Sequence, residues 1–193
     1  MTTGRWAAPI IGLFCASVSA AADRLPRLHA LTDEWTVSGL SSGAYMASQV
    51  AVAHSGAVRG VGVFAGGPFY CVGIDVRRAE GECMKGAPDP AVSRREAGRL
   101  ATLGLVEPVE NLKRTRAWVT AGAADGVVAE LVVRATARFF ESFNAPGTVY
   151  VLQPGLGHGL PTLDSGVDCS ATASPFLNRC GTPAVARMLA HLV

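Results

Sequence analysis

The stretch TVSGLSSGAYM, residues 36–46, contains the pattern Gly-x-Ser-x-Gly. This pattern is typical of a serine that stands on a sharp turn between a strand and a helix. The residues before it, 34–38, alternate in character and are rich in β-formers, which predicts a strand. A helix is predicted to follow over residues 44–54, with three apolar side chains on one of its faces: Met46, Val50 and Ala53. The motif is therefore expected to lie between a strand and a helix.

Strands and helices alternate through the rest of the chain. Short apolar runs predict strands at 61–65, 116–120 and 148–152. Asp89 as N-cap and Pro90 in the first turn begin a helix that ends near Leu103. A further helix over 127–143 is predicted from its apolar spacing at Val128, Leu131, Val132, Ala135, Phe139 and Phe143. A last helix, with Thr182 as cap and Pro183 at its first position, is predicted to bury Val185, Met188, Leu189 and Leu192.

This order of elements requires a parallel sheet with right-handed crossovers and flanking helices, which is an α/β fold. Ligands of such sheets bind beyond the carboxyl ends of the strands. Ser41 follows the first predicted strand, Asp125 the third and His158 the fourth, so all three are expected at one edge. A serine hydroxyl needs a histidine to remove its proton, and the histidine needs an acid to hold its tautomer. We therefore predict a Ser-His-Asp triad.

The turn around the serine has further expected roles. Gly39 and Gly43 are predicted to let the backbone and the helix crowd around a strained turn, and the N–H of Ser42 is expected to face a developing oxyanion. Ser42 is also a rival nucleophile, although the spacing of the motif selects the serine before it. Asp125 precedes a glycine, so it is equally well read as a turn former. The other rivals for the acid and the base are Asp164, Asp168, His29, His54 and His191.

Composition excludes several classes of protein. The chain has 193 residues, 49% of them hydrophobic and 17% charged, and a formal net charge of +2. This balance suits one globular domain, and the charge gives no basic stripe, so no nucleic-acid partner is expected. No cysteine pair or histidine has the spacing of a zinc site, and neither a metal nor a cofactor is predicted.

The N-terminus has the organisation of a secretory signal. Arg5 precedes an apolar run over residues 6–18, and small residues follow it. The run is shorter than the ~20 residues that span a bilayer, so no membrane span is expected in the mature chain. We predict a signal peptide over residues 1–22, a mature domain over 23–193, and secretion to the periplasm or the medium. The mature chain is expected to begin near Ala21 or Asp23.

Removal of the signal would leave four cysteines, an even number in an exported chain. Disulfides are therefore expected, and four cysteines allow three connectivities. We favour Cys71 with Cys83 and Cys169 with Cys180, because each pair brackets a loop that contains Gly, Pro or Ser. In the chain-entropy model, loops of this size contribute about 3 kcal/mol each to stability.

Several motifs together resemble the secreted short-chain polyhydroxyalkanoate depolymerases. They are SGLSSGAYMA, VGVFAGGPFYC, GLVEPVENL with AWVTAGAADGVV, GLGHGLPT, and the segment from Cys169 through SPFLNRC. The resemblance covers the chain from about Thr36 to the C-terminus. It implies Ser41 as nucleophile, Asp125 as acid, His158 as base, and esters of 3-hydroxyalkanoates, poly(3-hydroxybutyrate) above all, as substrates. It also implies a circularly permuted α/β-hydrolase fold.

The sequence departs from that family in length. It ends where the family's first half ends, so we expect an incomplete sheet without the loop that supplies a second oxyanion donor. Two functions therefore compete: a serine esterase acting on a polyester, and a catalytically weak remnant that acts as a binding module. A small-ester hydrolase of the feruloyl or acetyl type is the alternative within the enzyme class. Homo-association through the uncovered edge of the sheet is also expected.

Overall fold

The computed structural model describes residues 33–144 and 146–193. The predicted signal peptide, residues 1–22, lies outside the described residues, as does His29. No helix within the described ranges is long and apolar enough to cross a membrane.

A four-stranded parallel sheet forms the centre of the fold. Its strands are Trp35–Leu40 (β1), Val58–Phe64 (β2), Arg116–Gly122 (β3) and Thr148–Gln153 (β4), and they lie side by side in chain order. Each neighbouring pair is parallel. The predicted parallel α/β architecture is confirmed, and the carboxyl ends of all four strands meet at one edge of the sheet.

Four helices accompany the sheet: Ser42–Ala53 (α1), Pro90–Thr102 (α2), Glu130–Asn144 (α3) and Ala184–Leu192 (α4). The predicted cap of α2 is confirmed, because the Asp89 carboxylate accepts a hydrogen bond of 2.9 Å from the N–H of Ala91. The last helix begins later than expected, with Pro183 as its N-cap in place of Thr182.

A second, smaller sheet was not predicted. Its strands are Leu160–Thr162 (β5), Val167–Asp168 (β6) and Leu177–Arg179 (β7), with β7 in the middle. These strands have only two or three residues, which is too short for an alternating pattern to stand out in a sequence. The small sheet follows directly after the GLGHG loop.

The two faces of the central sheet pack against different helices. On one face Val61, Val63 and Val119 join a core that includes α1 and α3. On the other face Met188 and Leu192 of α4 pack with Phe64. Successive residues of a strand point to opposite faces, and a side chain at Gly60 or Gly62 would overlap α4. The glycines of β2 therefore let α4 approach the sheet closely.

The apolar pattern predicted several buried positions correctly, among them Val132 and Phe139 of α3 and Met188 of α4, but it also included residues that are exposed. On α1 the exposed fraction of Met46 is 60%, and the buried residues are Ala44, Ala47, Ser48, Ala51 and Val52. Small side chains are buried there because the helix lies close to the sheet, which leaves no room for larger ones. In the later helices Leu131, Val185 and Leu189 are exposed, against expectation.

Both disulfides form with the favoured connectivity, Cys71–Cys83 and Cys169–Cys180. The first closes the irregular segment between β2 and α2. The second closes the segment that contains β7. Both segments lie at the carboxyl edge of the central sheet, where the candidate site residues are found.

Candidate active site

Ser41 stands on a strained turn between β1 and α1. Its backbone angles are φ 55° and ψ −123°, in a region that residues other than glycine rarely occupy. The turn is fixed on both sides: the N–H of Ser41 donates to the carbonyl of Phe64 at 2.9 Å, and its own carbonyl accepts from Ala44 and Tyr45. The serine is half-buried and lines a cavity. This is the geometry of a nucleophile presented at the end of a strand.

The two glycines of the motif have different roles. A Cβ atom at Gly39 would overlap the backbone of Gly43, so the absence of a side chain on β1 is what allows the first turn of α1 to lie against the strand. A Cβ atom at Gly43 would meet nothing within 4 Å. The prediction that both glycines are needed for close approach is therefore wrong for Gly43.

Asp125 and His158 form a buried pair. The Asp125 Oδ2 atom lies 2.9 Å from His158 Nδ1, and the two side chains are 1% and 7% exposed. The other carboxylate oxygen accepts hydrogen bonds from the N–H groups of Val127 at 2.7 Å and Val128 at 2.9 Å. These bonds hold the residues after Asp125 in a turn, and the helix α3 begins only at Glu130. Asp125 is thus both the turn former and the partner of the histidine.

Burial acts to raise the pKa of Asp125, but the hydrogen bonds from His158, Val128 and Val127 outweigh it, so the pKa lies below its ordinary value. The carboxylate is therefore charged and can only accept, which requires that His158 Nδ1 carries the proton of their shared bond. In that tautomer Nε2 is left as a proton acceptor.

A cavity of about 450 Å³ lies beside Ser41. None of its lining residues is charged, and the Cys71–Cys83 disulfide forms part of the wall. The Tyr45 hydroxyl donates to the carbonyl of Cys83, and burial together with the charge of Asp125 raises the pKa of this tyrosine. The side chains that line the cavity include Ser41, Tyr45, Met46, Gln49, Tyr70, Val72, Met84 and Val128.

Val128 connects the acid to the cavity beside Ser41, because its N–H donates a hydrogen bond to Asp125 and its side chain lines that cavity. Among the residues that the structure describes, no hydrogen bond joins the Ser41 side chain to His158. In enzymes without substrate such bonds are often long and tighten only when substrate is bound. Ser42 is the first residue of α1, where the N–H groups have no partner within the helix, so its N–H is free of the helical ladder.

The rival residues lie elsewhere or have other partners. Asp164 and Asp168 are exposed, and their nearest polar partners are Ser165 and Arg179. His54 ends α1 and packs near Trp35, whereas His191 Nε2 lies 2.9 Å from the carbonyl of Gly147. Over residues 33–144 and 146–193 no group of three His, Cys, Asp or Glu side chains is arranged to hold a metal ion.

A parallel sheet with helices on both faces, a serine on a strained strand-to-helix turn and a buried Asp–His pair together define the α/β-hydrolase class. No family model matches the chain. It is 36% identical over 177 residues to a poly(3-hydroxybutyrate) depolymerase of Delftia acidovorans. It is 32% identical over 177 residues to a polyhydroxybutyrate depolymerase of Talaromyces funiculosus.

Each match covers 89% of this chain but only 36% and 50% of those relatives, so the chain spans half their length or less. The crystal structure of a PHB depolymerase from Penicillium funiculosum superposes with a TM-score of 0.75 at 29% identity, over 83% of this chain and 51% of that one. A serine-to-alanine variant of a PHB depolymerase, complexed with an R3HB trimer, gives the same values. The chain is thus homologous to the poly(3-hydroxybutyrate) depolymerases over most of its length.

Proposed function

We propose that the protein is a secreted serine esterase that hydrolyses esters of 3-hydroxyalkanoates, with poly(3-hydroxybutyrate) or its oligomers as substrate. Ser41 is the nucleophile, His158 the general base and Asp125 the acid that orients it. The observation that carries the proposal is the buried Asp125–His158 pair at the same sheet edge as a serine held at positive φ. The names of the relatives supply the substrate class.

The reaction follows from these groups. His158 Nε2 takes the proton of the Ser41 hydroxyl as its oxygen attacks the ester carbonyl carbon. The tetrahedral intermediate then collapses, the bond to the leaving alcohol breaks, and the imidazolium returns the proton to that alcohol. The Asp125 carboxylate stabilises the imidazolium meanwhile. Water, activated by the same histidine, releases the acid from the acyl-serine by the reverse sequence.

The oxyanion of the intermediate needs a hydrogen-bond donor. Ser42 is the residue after the nucleophile, and its N–H lies at the N-terminus of α1, where the helix dipole also favours negative charge. One such donor is worth about 10²–10³ in rate. We assign Ser42 N–H this role, and it acts through its backbone, so its side chain is dispensable.

The cavity beside Ser41 suits an uncharged acyl group. Its lining is mainly apolar and carries no charge among the described residues, and a site of about 450 Å³ lies within the usual range for small-molecule pockets. A 3-hydroxybutyrate unit inside a polyester is neutral, since both its carboxyl and its hydroxyl are esterified. A negatively charged acyl chain would lose its hydration here without gaining a partner.

Secretion is supported by the two disulfides, which persist in oxidising compartments. The proposal includes cleavage of residues 1–22, with a mature N-terminus near Ala21 or Asp23. N-terminal sequencing of protein exported by an expression host tests this part. A retained Met1 in the exported protein would contradict it.

A fluorophosphonate probe tests the nucleophile. It should label the wild-type protein at Ser41, and Ser41→Ala should abolish labelling, whereas Ser42→Ala should label normally. The substrate is tested with an R3HB trimer, from which the wild type should release 3-hydroxybutyrate. Hydrolysis of p-nitrophenyl butyrate without any release from the trimer would point to a small-ester hydrolase instead. Absence of both labelling and hydrolysis would refute the enzyme proposal.

A further inference from the structure

A segment of the disulfide-closed loop lies directly over the loop that carries His158. The backbone N–H of His158 donates a hydrogen bond of 3.2 Å to the hydroxyl of Thr172. The N–H of the preceding residue, Gly157, donates to the carbonyl of Cys169 at 2.9 Å. The position of the histidine backbone is therefore set by residues 169–172, which follow it in the chain by more than ten positions.

That segment is held in turn by Asn178 of β7. The Asn178 side chain is fully buried, and its amide nitrogen donates to the carbonyls of Cys169 at 2.8 Å and Ala171 at 2.7 Å. The two carbonyls fix the orientation of the amide, because the opposite orientation would place its oxygen against two other acceptors. The amide oxygen has no hydrogen-bond partner among the described residues. A buried acceptor without a partner lowers stability, so an apolar residue of similar size would serve better if the position only had to be filled. The asparagine is therefore explained by the two hydrogen bonds that its amide nitrogen donates.

The glycines on both sides of His158 fit this arrangement. A Cβ atom at Gly157 would overlap the carbonyls of Ser170 and Ala171, and a Cβ atom at Gly159 would overlap the amide of Asn178. The Gly-His-Gly sequence thus leaves room for the segment on one side and for the asparagine on the other. The Gly-His-Gly sequence and residues 169–172 with Asn178, together called the clamp below, therefore form one contact.

We propose that Asn178 and Thr172 are positioning residues for His158: Asn178 clamps residues 169–171, and Thr172 holds the backbone of the histidine. Neither side chain lines the cavity beside Ser41, so both act through the base and not on the bound acyl group. The proposal rests on the esterase function proposed above. It predicts a loss of kcat with little change in KM, because a small displacement of a catalytic group is enough to slow the chemical step.

Thr172 gives the cleaner test because it is exposed, so its variants are expected to fold. Thr172→Val keeps the shape but removes the acceptor, and kcat for p-nitrophenyl butyrate should fall about tenfold with KM within twofold. Thr172→Ser keeps the hydroxyl and should restore kcat to within twofold of the wild type. Equal kcat for the valine and serine variants would overturn the role of Thr172.

Asn178→Ala should lower kcat about 10²-fold, again with KM nearly unchanged. Asn178→Asp has the same shape but only acceptors at neutral pH, so its kcat should fall at least as far. A matched control is Thr115→Val, which removes another buried bond to a carbonyl, 3.1 Å to Val58, at the opposite end of the sheet. It should lose thermal stability while kcat stays within twofold. Wild-type kcat in Asn178→Asp would show that the residue only fills space.

One readout does not depend on turnover. The proton on His158 Nδ1, bonded to Asp125, gives a downfield NMR resonance that is assigned by its loss in His158→Ala. Thr172→Val should shift or broaden it, and Thr172→Ser should not. If the wild type neither turns over esters nor reacts with the probe, the esterase proposal fails and this resonance alone decides the positioning role. An unchanged resonance in Thr172→Val and Asn178→Ala would refute it.

Discussion

The two glycines of the Gly-x-Ser-x-Gly motif differ in a way that alanine substitution can measure. At Gly39 a Cβ atom would overlap the carbonyl group of Gly43, which belongs to the backbone and cannot rotate away. The strand and the first turn of α1 would have to separate. At Gly43 a Cβ atom would project into open space, and φ there lies outside the left-handed region.

The size of the difference follows from these surroundings. Overpacking of a closed contact costs about 1–3 kcal/mol, so Gly39→Ala should lose at least that much stability. Alanine is favoured over glycine in a helix by up to ~1 kcal/mol, so Gly43→Ala should be neutral or slightly stabilising. The two variants should therefore differ by about 2–4 kcal/mol, which corresponds to roughly 5–15 °C in Tm for a domain of this size.

Thermal and urea unfolding of both variants, with the wild type beside them, measure this difference. Gly39→Ala should also lose activity, because the separation of β1 and α1 displaces Ser41 and the Ser42 N–H relative to His158. Gly43→Ala should keep the fold. If Gly39→Ala is as stable as the wild type, or if Gly43→Ala loses as much, then close approach of strand and helix is not what the motif's first glycine provides.

Four further predictions concern the strain, the disulfides, acid and association. The Ser41→Gly variant should be more stable than Ser41→Ala by ~1 kcal/mol, because glycine adopts the positive φ of position 41 without strain. Equal Tm values for the two variants would show that the backbone there is not strained. Replacing both cysteines of Cys71–Cys83 by serine should raise KM, since this pair walls the cavity, whereas the same change at Cys169–Cys180 should lower kcat; steady-state kinetics separate the two, and identical profiles would be the contrary result. The folded-state pKa of Asp125 is lowered, so its contribution to stability is complete above the unfolded value and declines as the pH falls below about 4; urea unfolding at pH 7 and pH 3 should show a smaller acid loss for Asp125→Asn than for the wild type. Homo-association through the β1 edge, where Trp35 is 40% exposed, stays a prediction, and light scattering should detect a shift toward monomer in Trp35→Lys; a wild-type monomer at all concentrations would exclude it.

The sequence was sufficient to predict the order of the main elements and the residues of the Asp–His pair. Parallel strands place their carboxyl ends together, so residues that follow different strands, such as Asp125 and His158, were expected at one edge, and the structure joins them by a bond of 2.9 Å. The Asp89 cap and the disulfide connectivity were also predictable, because both depend on residues close in sequence.

The buried faces of the helices were less predictable, because burial depends on the distance between elements and not on side-chain size alone. Hydrophobic spacing favoured Met46 over Ala47, yet α1 lies so close to the sheet that only small residues fit beneath it. Close approach has a separate signal, which is glycine on the facing strand: Gly39 faces the first turn of α1, and Gly60 and Gly62 face α4. On α1, small residues beside a glycine of the strand mark the buried face better than apolar size does.

The clamp over His158 shows where such local signals end. Its parts are the three-residue strand β7 with its buried Asn178 and the exposed Thr172, and neither has a periodic pattern. In the sequence, the only sign of the clamp is the pair of glycines beside His158. A side chain at Gly157 would overlap the carbonyls of residues 170 and 171, and a side chain at Gly159 would overlap Asn178. Glycines that flank a candidate base therefore indicate that something packs against both sides of its loop, although the identity of that partner requires the structure. The same logic applies at Ser41, where Gly39 leaves room for the helix that follows the proposed nucleophile.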